Sequence, residues 1–299
     1  MKFAAIDIGS NAVRLYIARP LEELPNTEFK SVEFTRLPLR LGDDVFKDQE
    51  ISKKKSDLLI KSIQAFMLLM EIYNVDQVRA CATSAMRDAR NGRRLTKEIK
   101  KATGLSIEIL SGKQESKLIQ KAILHKTDPR KNYLHIDVGG GSTELAFIQQ
   151  GRVKCFESFN IGTVRLRENK VKTEEWSRVH RWLDNLKWSS LSLDRHAIGT
   201  GGNIVKLGQL SGTPAGEPIN HLLLEHTVHS IKSLTHKQRV YDLKLNPDRA
   251  EVIDFAGIIY SDIMKHCHIQ DIAAPNLGLK DGIIRSLWLP YLKNLQSQG

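Results

Sequence analysis

Apolar and polar residues come in short blocks along the first part of the chain, and each block has a readable period. Lys2-Phe3-Ala4-Ala5-Ile6-Asp7-Ile8 is almost continuously apolar, stops at Gly9-Ser10-Asn11, and resumes as Val13-Arg14-Leu15-Tyr16-Ile17. Two such runs around a polar glycine turn predict a hairpin with a tight tip. Residues 52–73 carry Leu59, Ile63, Phe66, Met67 and Met70 at helical spacing, with Ser52 as the N-cap. A strand through Val78–Ala82, one helix from about Ser84 to Ala102 closed by Gly104, a strand at Ile107–Leu110 and a helix after Ser111-Gly112 complete an alternating α/β pattern.

The pattern then restarts. Asp128-Pro129 reads as a turn, and Tyr133–Val138 is a second apolar strand that runs into Gly139-Gly140-Gly141-Ser142. A shift of 130 residues lays Ile6-Asp7-Ile8-Gly9 on Ile136-Asp137-Val138-Gly139, and Leu15 on Leu145, without a gap. Strand, Asp, glycine turn and returning strand thus occur twice, which predicts a duplicated α/β domain. The expected domains are residues 1–124 and 125–299, with the last helix, about Asp281 to Leu295, returning to the first. A third glycine turn, Ala197-Ile198-Gly199-Thr200-Gly201-Gly202-Asn203, leads from a strand into a helix, a layout that brings amides towards an anion. Trp176, Val179, Trp182, Leu183 and Leu186 read as the buried stripe of another helix, as do Val252, Phe255, Ala256 and Ile259.

Composition narrows the class. The 299 residues are 41% hydrophobic and 26% charged, values of a globular protein. The most apolar stretch, Ala65–Tyr73, is too short for a membrane span and contains Glu71. No signal peptide is expected, because Met1-Lys2-Phe3 leads directly into the first strand. Cys81, Cys155 and Cys267 are widely spaced, which points to a reducing, cytoplasmic setting without a zinc site. The net charge of +11 favours a polyanionic partner. Nucleic acid is disfavoured, since aromatics make up only 6% and do not interleave with the basic runs.

The glycine turns carry the candidate chemistry. Two of them facing across a cleft would offer converging backbone amides to phosphate oxygens, with Ser10, Asn11, Ser142 and Thr143 adding donors. Asp7 and Asp137, each at a strand end, suit Mg²⁺ directly or through its waters, and Glu144 stands close enough to join them. A strand-end Asp also simply forms turns. Glu115, in the first turn of the helix after Ser111, is the candidate to orient or deprotonate a water, although the helix dipole alone favours an acid there. Arg87, where a strand gives way to a helix, could clamp a phosphate or make a surface ion pair.

Six segments in order resemble the exopolyphosphatase/guanosine pentaphosphate phosphohydrolase (Ppx/GppA) family: Ala5–Asn11, Ala82–Arg87, Ser111–Glu115, His135–Glu144, Gly199–Asn203 and Gly278–Gly282. The resemblance implies the two-domain actin-like ATPase architecture of sugar kinases and actin, ribonuclease H-like, with an active site in the cleft between domains. It also implies Mg²⁺-dependent release of terminal phosphate from polyphosphate or guanosine pentaphosphate, with Mn²⁺ as the alternative ion. Carried over by position, Glu115 becomes the base, and Asp137 and Glu144 the metal and water carboxylates. Asn11, Arg87 and the amides of Gly140, Gly141 and Ser142 become the phosphate grip, beside Ser10, Gly201, Gly202 and Asp7 from the residue-level reading. Gln114, Arg14 and Lys280 depart from common family choices and bear on substrate preference. The longer members carry an added helical domain, so this short form is expected to prefer short chains or small nucleotides. Pairing through the second domain would give a homodimer. Two other functions fit the same residues: a small-molecule kinase on this fold, and an alarmone or nucleotide sensor without turnover.

Overall fold

A computed structural model describes residues 1–188 and 195–297. The chain divides into two compact units, Met1–His125 with Gly278–Gly299, and Lys126–Leu277.

The first unit runs β1 (Phe3–Ile8), β2 (Val13–Pro20), β3 (Phe29–Leu37), α1 (Leu41–Asp48), α2 (Lys53–Ile72), β4 (Gln77–Ala82), α3 (Ser84–Asp88), α4 (Gly92–Thr103), β5 (Ile107–Ile109) and α5 (Gly112–Ile123). Its sheet has the order β3-β2-β1-β4-β5, with β1 antiparallel to β2 and parallel to β4. All six residues of β1 are buried, which is why its apolar run does not alternate. The second unit runs β6 (Asn132–Val138), β7 (Thr143–Gln149), β8 (Arg152–Phe159), α6 (Thr163–Arg167), α7 (Thr173–Asp184), β9 (Arg195–Thr200), α8 (Gly202–Leu210), β10 (Ile219–Asn220), α9 (His221–Ser233), α10 (His236–Tyr241), α11 (Pro247–Ala250), α12 (Ile253–His266) and β11 (Asp271–Ala273). Its order is β8-β7-β6-β9-β11, with β10 added antiparallel at the edge. Three antiparallel strands followed by two parallel ones occur in both units. This repeated order is that of the actin-like ATPase fold.

The last helix, α13 (Leu279–Gln296), belongs to the first unit and packs on α5 and β1. Trp288 anchors it, edge-on to Phe3 at 6.0 Å between ring centroids and donating its indole N–H to Leu24 O at 3.0 Å. Gly282 permits the approach to α5: a methyl there would meet Leu118 O at 2.0 Å.

The structure departs from the sequence reading in three places. The helix expected over 84–102 is two, α3 and α4. The Asn91 amide hydrogen-bonds the N–H and C=O of Ile51, and Arg90 N bonds Gln49 O, so distant backbone pulls the chain out of helix between them. Elements β3 and α1 are absent from the sequence reading; β3 is a half-exposed edge strand whose burial does not alternate cleanly. Leu186 is buried yet lies beyond the end of α7.

Replacing Gly282 by Ala is expected to destabilise the protein by about 2–3 kcal/mol through overpacking against backbone. Gly278→Ala, whose added methyl meets nothing within 4 Å, is expected to cost no more than about 1 kcal/mol as an N-cap change. Urea denaturation of the two variants checks the order; equal losses would remove the packing role of Gly282.

Candidate functional site

In the second unit the turn after β6 closes through Gly139 N donating to Ser142 O at 2.9 Å. Its carbonyls are all taken from one side. Thr163 N bonds Gly139 O at 3.0 Å, Val164 N bonds Gly140 O at 2.8 Å, and Arg165 Nε bonds Gly141 O at 2.6 Å. In a trans peptide the next N–H points opposite to the carbonyl. The amides of Gly140, Gly141 and Ser142 therefore point away from α6, as a set. Gly162 makes this contact feasible, since a methyl there would lie 2.5 Å from Gly140 O.

The register of the sheet builds a polar row beside this turn. Asp137 stands opposite Glu144 on β7, Glu144 opposite Ser158 on β8, and Asp137 beside Thr200 on β9. Carboxylate oxygens of Asp137 and Glu144 approach within 4.8 Å. Thr200 Oγ1 donates to Asp137 Oδ1 at 2.6 Å, and Ser158 Oγ donates to Glu144 Oε1 at 2.9 Å. Behind Thr200 lies His135, fully buried, with Nε2 at 2.9 Å from the hydroxyl. Burial pushes its imidazole down to about 3, so it stays neutral. Its Nδ1 has no hydrogen-bond partner among the described residues, an arrangement that costs about 1–3 kcal/mol. Gly201 takes φ +93° at the start of α8, and a methyl on Gly202 would meet Arg249 Nη2 at 2.9 Å, which places a guanidinium over the third turn.

The first unit repeats the turn with different chemistry. Gly9 N bonds Ala12 O at 3.0 Å, while Gly42 N and Arg40 N take Ser10 O and Asn11 O at 2.8 and 3.0 Å. The amides of Asn11 and Ala12 turn the other way for the same reason. Ser10 Oγ hydrogen-bonds Ser84 Oγ at 2.8 Å. Opposite Asp7 on β2 stands Arg14, whose Nη1 makes a 2.8 Å ion pair with Asp7 Oδ2. Beside Asp7 on β4 is Cys81, a neutral thiol that burial pushes up to about 12. Arg87 Nη1 donates to Leu110 O at 2.9 Å and lies 3.7 Å from Glu115 Oε2. Glu115 is positioned by the start of α5, where Ser111 and Gln114 form a capping box. Gln114 thus acts as a cap here, through an oxygen that Glu would equally supply.

Within the second unit, then, Asp137, Glu144, Gly140, Gly141, Ser142, Gly201 and Gly202 gather at the ends of β6 and β9. The first unit gathers Asp7, Ser10 and Asn11 at one turn and pairs Arg87 with Glu115. Sequence reasoning missed Gly42, Gly162, Ser158, Arg165 and Arg249, and quoted His135 and Thr200 without giving either a role. Gly42 and Gly162 each follow a large apolar residue, Leu41 and Ile161, 120 residues apart. A fixed 130-residue shift hides that correspondence.

Duplicated sheets, each with an amide-lined turn after its first strand, define an actin-like ATPase-fold protein. The sequence profile of the Ppx/GppA phosphatase family matches residues 22–290, and the chain belongs to that family. Among curated relatives, the bifunctional 3-dehydroquinate synthase/phosphatase of Fusobacterium nucleatum is 28% identical over 210 residues, which are 64% of this chain and 32% of that longer protein. Exopolyphosphatase 2 of Mycobacterium tuberculosis is 27% identical over 320 residues, covering 96% of this chain and 98% of that one. The crystal structure of the Ppx/GppA family member of Aquifex aeolicus superposes with a TM-score of 0.76 at 24% identity, covering 97% and 98% of the two chains, and shares the fold. No helix among the described residues is long and apolar enough to cross a membrane.

Gly162→Ala is expected to destabilise by about 3 kcal/mol, because its methyl would run into the backbone of the Gly139–Ser142 turn. Gly42→Ala meets the Phe46 ring edge at 2.9 Å and Ser10 at 3.1 Å, and is expected to cost about 1 kcal/mol, since a ring can shift. Thermal melts of both variants decide; a larger loss at Gly42 contradicts the account.

Proposed function

We propose that this chain is a metal-assisted phosphoanhydride hydrolase, releasing terminal orthophosphate from linear polyphosphate and, by the same chemistry, from guanosine pentaphosphate. The observation that carries the proposal is the Asp137–Glu144 pair. Two carboxylates placed directly opposite on neighbouring strands repel each other unless a cation or proton is shared between them. Their donors are hard oxygens, each carboxylate already oriented by a hydroxyl, which fits Mg²⁺ or Mn²⁺. Such an ion, when bound, would neutralise charge on the phosphoryl oxygens.

The remaining roles fall to the chain's own groups. The amides of Gly140, Gly141 and Ser142, with Ser10, Asn11, Gly201 and Gly202, hold phosphate oxygens. Arg87 clamps a phosphate and steadies Glu115. Glu115 accepts the proton of the attacking water; the water oxygen bonds to the terminal phosphorus as the bridging P–O bond breaks, leaving orthophosphate and a chain one phosphate shorter. Asp7 has its charge balanced by Arg14, and is given a supporting role. The net charge of +11 favours a polyanionic substrate, and relatives named exopolyphosphatases match along almost the whole chain.

The test is phosphate release from polyphosphates of graded length and from guanosine pentaphosphate, with Mg²⁺, Mn²⁺ or EDTA. Release is expected only with a divalent ion, and Glu115→Gln is expected to lower it about 10³-fold while sparing substrate binding. Tight Mg²⁺-dependent binding with no release would make the protein a sensor. Consumption of ATP only in the presence of a sugar or small-acid acceptor would make it a kinase.

A further inference from the structure

His135 and Asp137 project from the same face of β6, and the parallel register sets Thr200 of β9 beside Asp137. Thr200 Oγ1 is 2.6 Å from Asp137 Oδ1 and 2.9 Å from His135 Nε2. A hydroxyl has one proton, and an ionised carboxylate can only accept. Thr200 therefore donates to Asp137 and accepts from His135, which must carry its proton on Nε2. The other ring nitrogen then faces the core bare, in agreement with its lack of a partner among the described residues. Tyr260 holds the far side of the chain, its O–H donating to the Thr200 carbonyl at 2.8 Å. Gly201, which lets the chain turn at φ +93°, lies against Asp137, its Cα position directed so that a methyl would sit in ordinary contact with Oδ1 at 3.4 Å.

We propose that His135 and Thr200 are positioning residues for Asp137. One directional chain of donors, His135 Nε2–H to Thr200 Oγ1–H to Asp137 Oδ1, sets the rotation of that carboxylate and so the direction in which its second oxygen meets a cation. The inference rests on Asp137 being a cation ligand. The physical need is clear: the terminal torsion of Asp is soft and broad, so an unanchored carboxylate turns easily. Outer hydrogen-bond partners of this kind fix ligand orientation in metal sites. An apolar side chain at 135 would fill the core without a bare acceptor. His is the costlier choice for stability, and the relay accounts for it.

Two measurements on the full chain test the relay. Imidazole ¹⁵N NMR of the wild-type protein at neutral pH is expected to show His135 protonated on Nε2; a proton on Nδ1 overturns the proposal, whatever the variants do. Mn²⁺ titration without substrate is expected to show roughly tenfold weaker binding in Thr200→Val, and binding within about twofold of wild type in Thr200→Ser. His135→Leu is expected to weaken Mn²⁺ binding, and His135→Gln, which keeps an N–H donor at that reach, to restore it. In phosphate release, Thr200→Val should lower kcat with little change in KM for polyphosphate, because the substrate grip is untouched. Mn²⁺ binding that needs Asp137 but is unaltered in Thr200→Val overturns the relay alone. Mn²⁺ binding equal in wild type and Asp137→Asn removes the cation assignment, and the relay with it.

Discussion

Asp137 and Glu144 face each other because the hairpin of β6 and β7 pairs Val138 with Thr143 across its glycine turn, and every later pair follows from that register. Two carboxylates at this spacing are a destabilising arrangement on their own. The surrounding structure responds to it. Hydroxyls from β8 and β9 donate to one oxygen of each acid, and the turn beside them has its carbonyls drawn off to α6 so that its amides face the other way. Polar groups of one sign of demand have been concentrated at one sheet end.

The first unit shows what becomes of the same frame without that demand. Its turn is held in the same manner, by amides at the start of α1, and its strand-end acid occupies the same place. The residue across the hairpin is Arg14 instead of an acid, so the charge at Asp7 is met within the protein. On the other side stands a buried thiol where the second unit has Thr200. The two units share the geometry of the turns, while the cross-strand partners differ: Asp7 faces Arg14 in one, and Asp137 faces Glu144 in the other.

Glycine serves the fold chiefly through close approach. Gly162 lets α6 reach the carbonyls of the Gly139–Ser142 turn, Gly42 does the same for the turn after β1, and Gly282 brings α13 onto α5, the helix that carries Glu115. None of these depends on a positive φ. Each is a place where a methyl group would push a functional element off its mark.

Local sequence determined the hairpins, the two strand-end aspartates, the glycine turns, the Ser52 and Ser111 caps and the repetition of the α/β pattern. Those features rest on short-range chemistry: side-chain period, cap donors and the tightness of glycine turns act within a few residues. Tertiary structure decided which partner each acid meets, that α3 and α4 are separate helices held apart by Asn91, and that Gly42 and Gly162 correspond. The relay from His135 through Thr200 was equally invisible, because it joins residues 65 positions apart. Strand register and crossover connections create such neighbours, and a side chain's electrostatic character, ligand or ion-pair partner, is set by the neighbour that the fold brings to it.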